Sequence, residues 1–488
     1  MKYFPPFLAL LLAGCAVGPN YQRPAVQPTA AAPFSDPGVK LVSDTTSQAD
    51  WWRLFNDPAL DRLVADALAH NTDIRQTAAN LRRARAYLSE ARNQRLPTTQ
   101  LSGSYTRQRI GSGTLGPAGS AQAGGAALPD GFESDNFSTG FDASYEIDLF
   151  GRVTRSIEAA DADEASAAAA LDAARVTIAA ETARAYAQAC GFAAQAEVAR
   201  ETVALQERTL DLTRRLLDAG RGTQREYDQA VVLSSNARAQ VPAFEAERRA
   251  ALYSLATLTG RPPAEIDSVA AACKTPPTVN TVIPVGDGAA LIARRPDVRQ
   301  AERTLAAETA RVGVATAALY PSISLLGSAS LGGQRIGDIG KPSSFSFSLG
   351  PLLSWNLPNL GAARARVRQA EAGTDGALAA FDGAVLTALR EVEQALARYA
   401  GELERNAALR NADDAANNAA RIAGLRFDAG RDSFLQRLVA ERDRASAGGS
   451  LAQSNAAVAE AQVALFKALG GGWENAPPAL RREDAGTQ

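Results

Sequence analysis

Few side chains in this 488-residue chain could do chemistry, and their types bound what that chemistry can be. There is one histidine, His70, and there are three cysteines, Cys15, Cys190 and Cys273. A His/Cys metal site needs several such ligands in a cluster, so no metal is expected. His70 closes an amphipathic stretch and reads as a helix-end residue. There is no Gly-Lys-Ser/Thr phosphate loop, no nucleophile elbow and no dinucleotide fingerprint. Carboxylates are plentiful, but they fall on solvated helix faces instead of forming isolated pairs in apolar surroundings. The expectation is therefore no catalytic residue and no enzyme. A formal net charge of −2 leaves no electrostatic footprint for nucleic acid.

Cys15 is the one residue placed for modification. Lys2 precedes an apolar run from Tyr3 to Leu12, and Leu12-Ala13-Gly14-Cys15 resembles a bacterial lipoprotein signal box. The resemblance implies cleavage before Cys15 and lipid on its thiol and new amino group, the only covalent group expected. A plain secretory signal with an incidental cysteine is the alternative. Ala16, where an aspartate would retain a lipoprotein at the inner membrane, favours the outer membrane. One acyl chain binds membranes weakly, so several chains or a second membrane element should accompany it. Cys190 and Cys273 are expected as free, buried thiols, with a disulfide between them left open by an oxidising compartment.

The elements around these residues are long. From Gly151 to Gly220 the chain has no proline, one internal glycine (Gly191), and mostly strong helix formers. About 67 residues at ~1.5 Å each make a rod of roughly 100 Å, too polar to cross a bilayer as a helix. The rod occurs twice. Gly361 follows Gly151, Asp428-Ala429-Gly430-Arg431 follows Asp218-Ala219-Gly220-Arg221, and Gly470 follows Gly260, all at an offset of 210 residues. Three landmarks at one offset indicate an internal duplication. Thr223 with Glu226, and Ser433 with Gln436, read as capping boxes that start a return helix after each turn.

The period then changes from helix to strand. Phe137, Phe141, Ala143, Tyr145, Ile147 and Leu149 alternate with Ser138, Asp142, Ser144, Glu146 and Asp148. Leu101 and Tyr105 alternate with Ser102 and Ser104, and the second copy repeats the pattern around Ile323, Leu325, Phe345 and Phe347 with Ser324, Ser346 and Ser348. Strands of about 10 residues suit a tilted bilayer crossing, although a soluble sandwich alternates in the same way. Two hairpins feeding long rods in a lipoprotein-like chain favour the bilayer. Four strands cannot close a barrel, for which about eight is the practical minimum, so several chains must pool theirs.

The expected organisation is a signal peptide over 1–14, a lipidated extended segment over 15–50, and a first repeat over 51–260. That repeat holds a hairpin at about 98–149, a long helix at about 152–219 and a return helix at about 223–258. A linker over 261–289 leads to a second repeat over 290–473, with a hairpin at about 322–355 and helices at about 362–429 and 433–469. A disordered tail is expected over 474–488.

Four motifs carry a family resemblance: Cys15-Ala16-Val17-Gly18-Pro19-Asn20-Tyr21, Trp51-Trp52-Arg53-Leu54-Phe55, Arg295-Pro296-Asp297-Val298 and Ala468-Leu469-Gly470-Gly471-Gly472-Trp473. Together they resemble the lipoprotein branch of the TolC-like outer-membrane efflux proteins, the nodulation-protein-T type. The resemblance implies a mainly α fold with a β-barrel part: a homotrimer in which four transmembrane strands per chain make a twelve-stranded barrel above a long periplasmic α-helical barrel. It implies an exit duct for drugs or other small molecules, fed by an inner-membrane resistance-nodulation-division pump through a periplasmic adaptor. The exit channel of a type I protein secretion system, and a passive porin, are the alternatives. Where the first copy reads Asp148-Leu149-Phe150-Gly151-Arg152, the second has Trp355-Asn356-Leu357-Pro358-Asn359-Leu360-Gly361, and a kink or wider turn is expected at Pro358. Arg421, Arg426, Asp428 and Arg431, with Asp218 and Arg221, are candidates for closing the periplasmic end, against the plainer reading of solvated helix-end charges. Gly220, Arg221, Gly222 and Thr223, with Gly430, Arg431, Asp432 and Ser433, are the candidate adaptor contacts.

Overall fold

Alanine, leucine, glutamate and arginine dominate the long segments, and each loses little side-chain freedom in a helix. The computed structural model describes residues 16–25, 28–34, 42–43, 45, 49–110, 132–355, 357 and 360–477. Its helices are α1 (Pro58–His70), α2 (Thr72–Asn93), α3 (Arg152–Asp218), α4 (Gln224–Leu258), α5 (Ser268–Ala271), α6 (Gly288–Arg294), α7 (Pro296–Ala317), α8 (Leu360–Asp428) and α9 (Phe434–Ala468). Its strands are β1 (Val42–Ser43), β2 (Thr98–Ile110), β3 (Phe132–Ile147), β4 (Ile283–Pro284), β5 (Ser322–Gly333) and β6 (Phe345–Ser354). Among the described residues no helix is long and apolar enough to cross a membrane.

The duplication extends to backbone conformation. Gly220 and Gly430, which follow α3 and α8, both sit at φ 66°, a left-handed geometry that suits glycine. The Arg221 amide donates to the Leu216 carbonyl and the Arg431 amide to that of Arg426, each at 2.8 Å. These bonds satisfy carbonyls that a helix end leaves open. Thr223 and Ser433 then form reciprocal capping boxes with Glu226 and Gln436. Gly260 and Gly470, after the return helices, have φ of 75° and 69°. The copies part at the strand-to-helix junction: Gly151 precedes α3 at φ 77°, whereas Gly361 lies inside α8. The wider turn expected at Pro358 falls outside the described residues, as do the signal peptide and Cys15.

The fold has two compact units, and each draws on both copies. One gathers Met1–Gln22, Ala84–Glu164 and Thr304–Leu378; the other gathers Arg23–Arg83, Ala165–Arg303 and Ala379–Gln488. The first contains the antiparallel sheet of β2, β3, β5 and β6 and a small core of Leu88, Ala91, Val153 and Ile157.

The second unit has the main core, and two motifs of the sequence meet there. Trp51 is fully buried, stacks on Phe466 at 4.9 Å between ring centres, and donates its indole N–H to the Gly471 carbonyl at 3.3 Å. Truncating so large a buried aromatic costs about 3–5 kcal/mol in general. Buried Arg295 donates to Asp297 at 2.7 Å, to Glu391 at 2.8 Å and to the Ala468 carbonyl at 3.0 Å. A Cβ on Gly470 would lie 2.8 Å from the Cγ of Arg295, too close for any larger residue. His70 ends α1 with Nδ1 3.0 Å from the Asp66 carbonyl.

One expectation is corrected here. Cys190 and Cys273 are not free thiols: they form a disulfide with their Cα atoms 5.1 Å apart. The reason is that the linker folds back onto α3 instead of running free, adding α5 and pairing β4 in parallel with β1. Within the segment expected as a tail, Glu474 is held by Arg294 at 2.8 Å and accepts from the Gly472 and Trp473 amides, each at 3.2 Å. The return helix α4 also contains Pro242, which removes one backbone donor from its interior.

Candidate functional site

Alternation along each strand becomes two opposite faces once the register is fixed. Leu101 pairs with Phe141, Phe141 with Ala329, and Ala329 with Phe347, one apolar line across all four strands. The adjoining line on the other face is Gln100, Asp142, Ser328 and Ser348. Hydroxyls bridge neighbouring strands on that wet face: Ser104 with Ser138, Ser328 with Ser348 and Ser330 with Ser346, each at 2.8 Å. Among the described residues the apolar face has no cover: Leu101 is 79% exposed, Phe347 74% and Leu349 73%. Two leucines break the pattern, because Leu326 and Leu352 stand on the serine-rich face opposite Ser144 and Ser324. The alternation reading passed over both.

Among the described residues β2 pairs only with β3, and β6 only with β5, so the sheet ends there in two open edges. At the end of β3, Glu146 accepts from Arg152 at 2.7 Å. Asp148 accepts from the Val153 and Thr154 amides at 2.9 and 2.8 Å. The strand therefore runs into α3 through a carboxylate at the positive end of the helix.

The turns after α3 and α8 expose Gly220, Arg221, Thr223, Gly430, Arg431 and Ser433, with Gly222 and Asp432 half-buried. The six charged candidates at these turns are not brought together. Arg426 pairs with Asp432 at 2.8 Å, joining the end of α8 to its own turn. That donor holds the Asp432 carboxyl below its ordinary range. Asp428 pairs at 3.3 Å with Arg437, which sequence reading missed. Arg421 donates to Asn418 within α8 at 2.9 Å. Among the described residues, Arg431, Asp218 and Arg221 form no ion pair. Arg437 lies 5.2 Å over the Phe427 ring and donates to Glu441 at 3.0 Å, and Thr209 of α3 donates to Glu441 at 2.7 Å. The available signal was the spacing of Arg437 and Glu441 on one helix face. Among the described residues, no group of three or more His, Cys, Asp or Glu could hold a metal ion.

A four-stranded sheet with one greasy and one wet face, two open edges and duplicated helical hairpins is an arrangement shared with known proteins. The outer membrane efflux protein family model matches residues 63–261 and 289–471. The chain is 31% identical to outer membrane protein OprJ of Pseudomonas aeruginosa over 471 residues, covering 96% of this chain and 95% of that protein. It is 31% identical to nodulation protein T of Rhizobium leguminosarum bv. trifolii, covering 97% of each. The solved structure of the outer-membrane channel OprN superposes with a TM-score of 0.86 at 35% identity, over 94% of this chain and 100% of that one. With both repeats matched, the chain is a member of the outer membrane efflux protein family.

Proposed function

We propose that this chain forms, as a homotrimer, the exit duct of a tripartite efflux system. The observation that carries the reading is the sheet: an apolar line runs across three strand pairings while, among the described residues, both edges stay open. Unpaired edges are not viable in lipid, and four strands cannot close on themselves. Three copies joining β2 of one to β6 of the next give twelve strands with the greasy face outward. The inner face, with Ser138, Asp142, Ser144, Glu146, Ser324, Ser346 and Ser348, then lines a wet passage for drugs or other small molecules.

No step of this function makes or breaks a bond, so the energy comes from an inner-membrane pump of the resistance-nodulation-division class. A periplasmic adaptor docks on the exposed turns at Gly220–Thr223 and Gly430–Ser433. Lipid on Cys15 supplements the barrel as an anchor. The second turn closes the periplasmic end through Arg426 and Asp428, with Arg421, Arg431, Asp218 and Arg221 as the further charges available to neighbouring copies. The test is in-cell cross-linking from Arg221→Cys, with mass spectrometry of what is captured. An adaptor encoded with a proton-driven pump is the expected result. An adaptor of an ATP-driven exporter assigns protein secretion instead, and capture of nothing by an assembled trimer points to a passive channel.

A further inference from the structure

The segment Ala16–Asn20 lies in a cleft built for it in the first compact unit. The Val17 amide donates to the Phe150 carbonyl at 3.2 Å. Arg155, in the first turn of α3, is only 4% exposed and turns its guanidinium onto the segment. Nε donates to the Val17 carbonyl at 3.2 Å, and Nη2 donates to the Gly18 carbonyl at 3.4 Å and to Asn20 Oδ1 at 2.7 Å. Nη1 is held by Glu158 at 2.7 Å. Burying a guanidinium is costly unless its donors are used, and four of these bonds use them.

Three glycines make the crossing possible. A Cβ on Gly18, which has φ +91°, would lie 2.5 Å from the Cα of Gly313 in α7. One on Gly151 would lie 2.6 Å from the Cβ of Ala16, and one on Gly313 would lie 2.8 Å from Arg155 side-chain carbons. The second copy has Ala365 at the position 210 residues after Arg155. That absence fits a leading segment that exists once in a chain where nearly everything else exists twice.

We propose that Arg155 is a positioning residue whose cleft binds the backbone of residues 16–20 and latches the leading end of the chain to the head of α3. Resting on the lipidation proposed above, the latch fixes the lipid-bearing end beside the strand-to-helix junction, because Ala16 is next in sequence to Cys15 and abuts Gly151. Its recognition is of carbonyls and one amide side chain, with steric selection for glycine at 18.

The test is limited proteolysis of the full-length protein extracted from membranes, read by intact mass as the rate at which the leading segment is lost. Arg155→Ala and Gly18→Ala should each raise that rate at least tenfold, with Arg155→Lys between them and the natural chain. Gly18→Ala alters only the bound segment, so it decides the matter if Arg155→Ala does not fold. Unchanged rates in folded variants overturn the proposal. The same spectra report the lipid mass on Cys15, and a Cys15→Ser chain exported behind a non-lipoprotein signal should keep the natural rate. Rapid loss in that chain would mean that lipid, not Arg155, holds the segment.

Discussion

Leu216 and Gly222 of the first turn occupy the positions that Arg426 and Asp432 hold in the second. The backbones match, with Gly220 and Gly430 at the same φ of 66° and the same 2.8 Å closing bond. The fastening differs. Gly222 approaches so closely that a Cβ there would lie 3.2 Å from that of Leu216, whereas the second turn spans the same interval with an ion pair. Leu217, Gln224, Tyr227 and Val231 in the first copy are replaced by Phe427, Phe434, Arg437 and Glu441 in the second. Phe427 and Phe434 meet edge-on at 6.0 Å, and Arg437 ties Phe427, Asp428 and Glu441 together. One hairpin is closed by packing and the other by exchangeable charges. Packing cannot be re-partnered without leaving a void, but surface charges can, since each pair contributes little and neighbours compete for it.

The largest expected effect tests a difference farther along the rods, where Cys190 of α3 faces Cys273 but the second copy has Ala400. The disulfide closes a sequence separation of 83 residues. Loop-closure entropy assigns a loop of that order about 4.5 kcal/mol, as an upper figure. The double variant Cys190→Ser with Cys273→Ser should therefore unfold at clearly lower urea concentration, and the natural chain should match it only under reductant. An unchanged midpoint would show that packing against α3, and not the covalent tie, holds the linker.

Some of this is legible in the sequence, and the divide is physical. Helix ends were readable because Gly220 and Gly430 with their capping boxes are local signals, complete within a few residues. The two faces of the sheet were readable because alternation is local too, but Leu326 and Leu352 escaped because one apolar residue in a wet row looks like noise. The disulfide, the Arg155 cleft and the Arg437 bridge depend on which distant segments meet, which no spacing encodes. Arg155 sits 135 residues from its partner Asn20, and Thr209 sits 232 from Glu441. The gate candidates were picked by proximity to a turn, so the reading named Arg426 and Asp428 and missed Arg437 on α9, which pairs with Asp428.

The comparison of turns is sharpened next by charge reversal. Arg426→Glu sets a second carboxylate against Asp432, and single-channel conductance in planar bilayers should rise at least twofold. Leu216→Glu at the matching first-turn position should change conductance far less, since no acidic partner stands at Gly222. Equal effects at the two sites would mean that the charges of the second turn have no special part in closure.

A smaller effect is expected from Arg437→Ala, which removes the bond to Asp428, the bond to Glu441 and the cation over Phe427. A partly exposed cation–ring contact contributes about 0.5–1 kcal/mol in general. Amide exchange over 425–437 should quicken several-fold with no change over 215–227. Tyr227→Ala in the first turn serves as the matched control, and a response there of the same size would erase the contrast.

The finest distinction is one of pH. Thr223 donates its amide to Glu226 at 2.8 Å, and this bond, with that from the Thr223 hydroxyl, holds the Glu226 carboxyl below its ordinary range. A lowered carboxyl contributes fully above its unfolded value, about 4.3, and the contribution fades as pH falls through the lowered one. The corresponding residue in the second turn, Gln436, does not titrate, but Asp432 does and is also lowered. Acid should therefore loosen both turns, the first through its cap and the second through its ion pair. Glu226→Gln copies the second cap into the first and should make protection of residues 218–226 indifferent to pH between about 5 and 3, while the second turn still responds. Acid loosening of the first turn that persists in Glu226→Gln would place the titrating group elsewhere and leave the two caps equivalent.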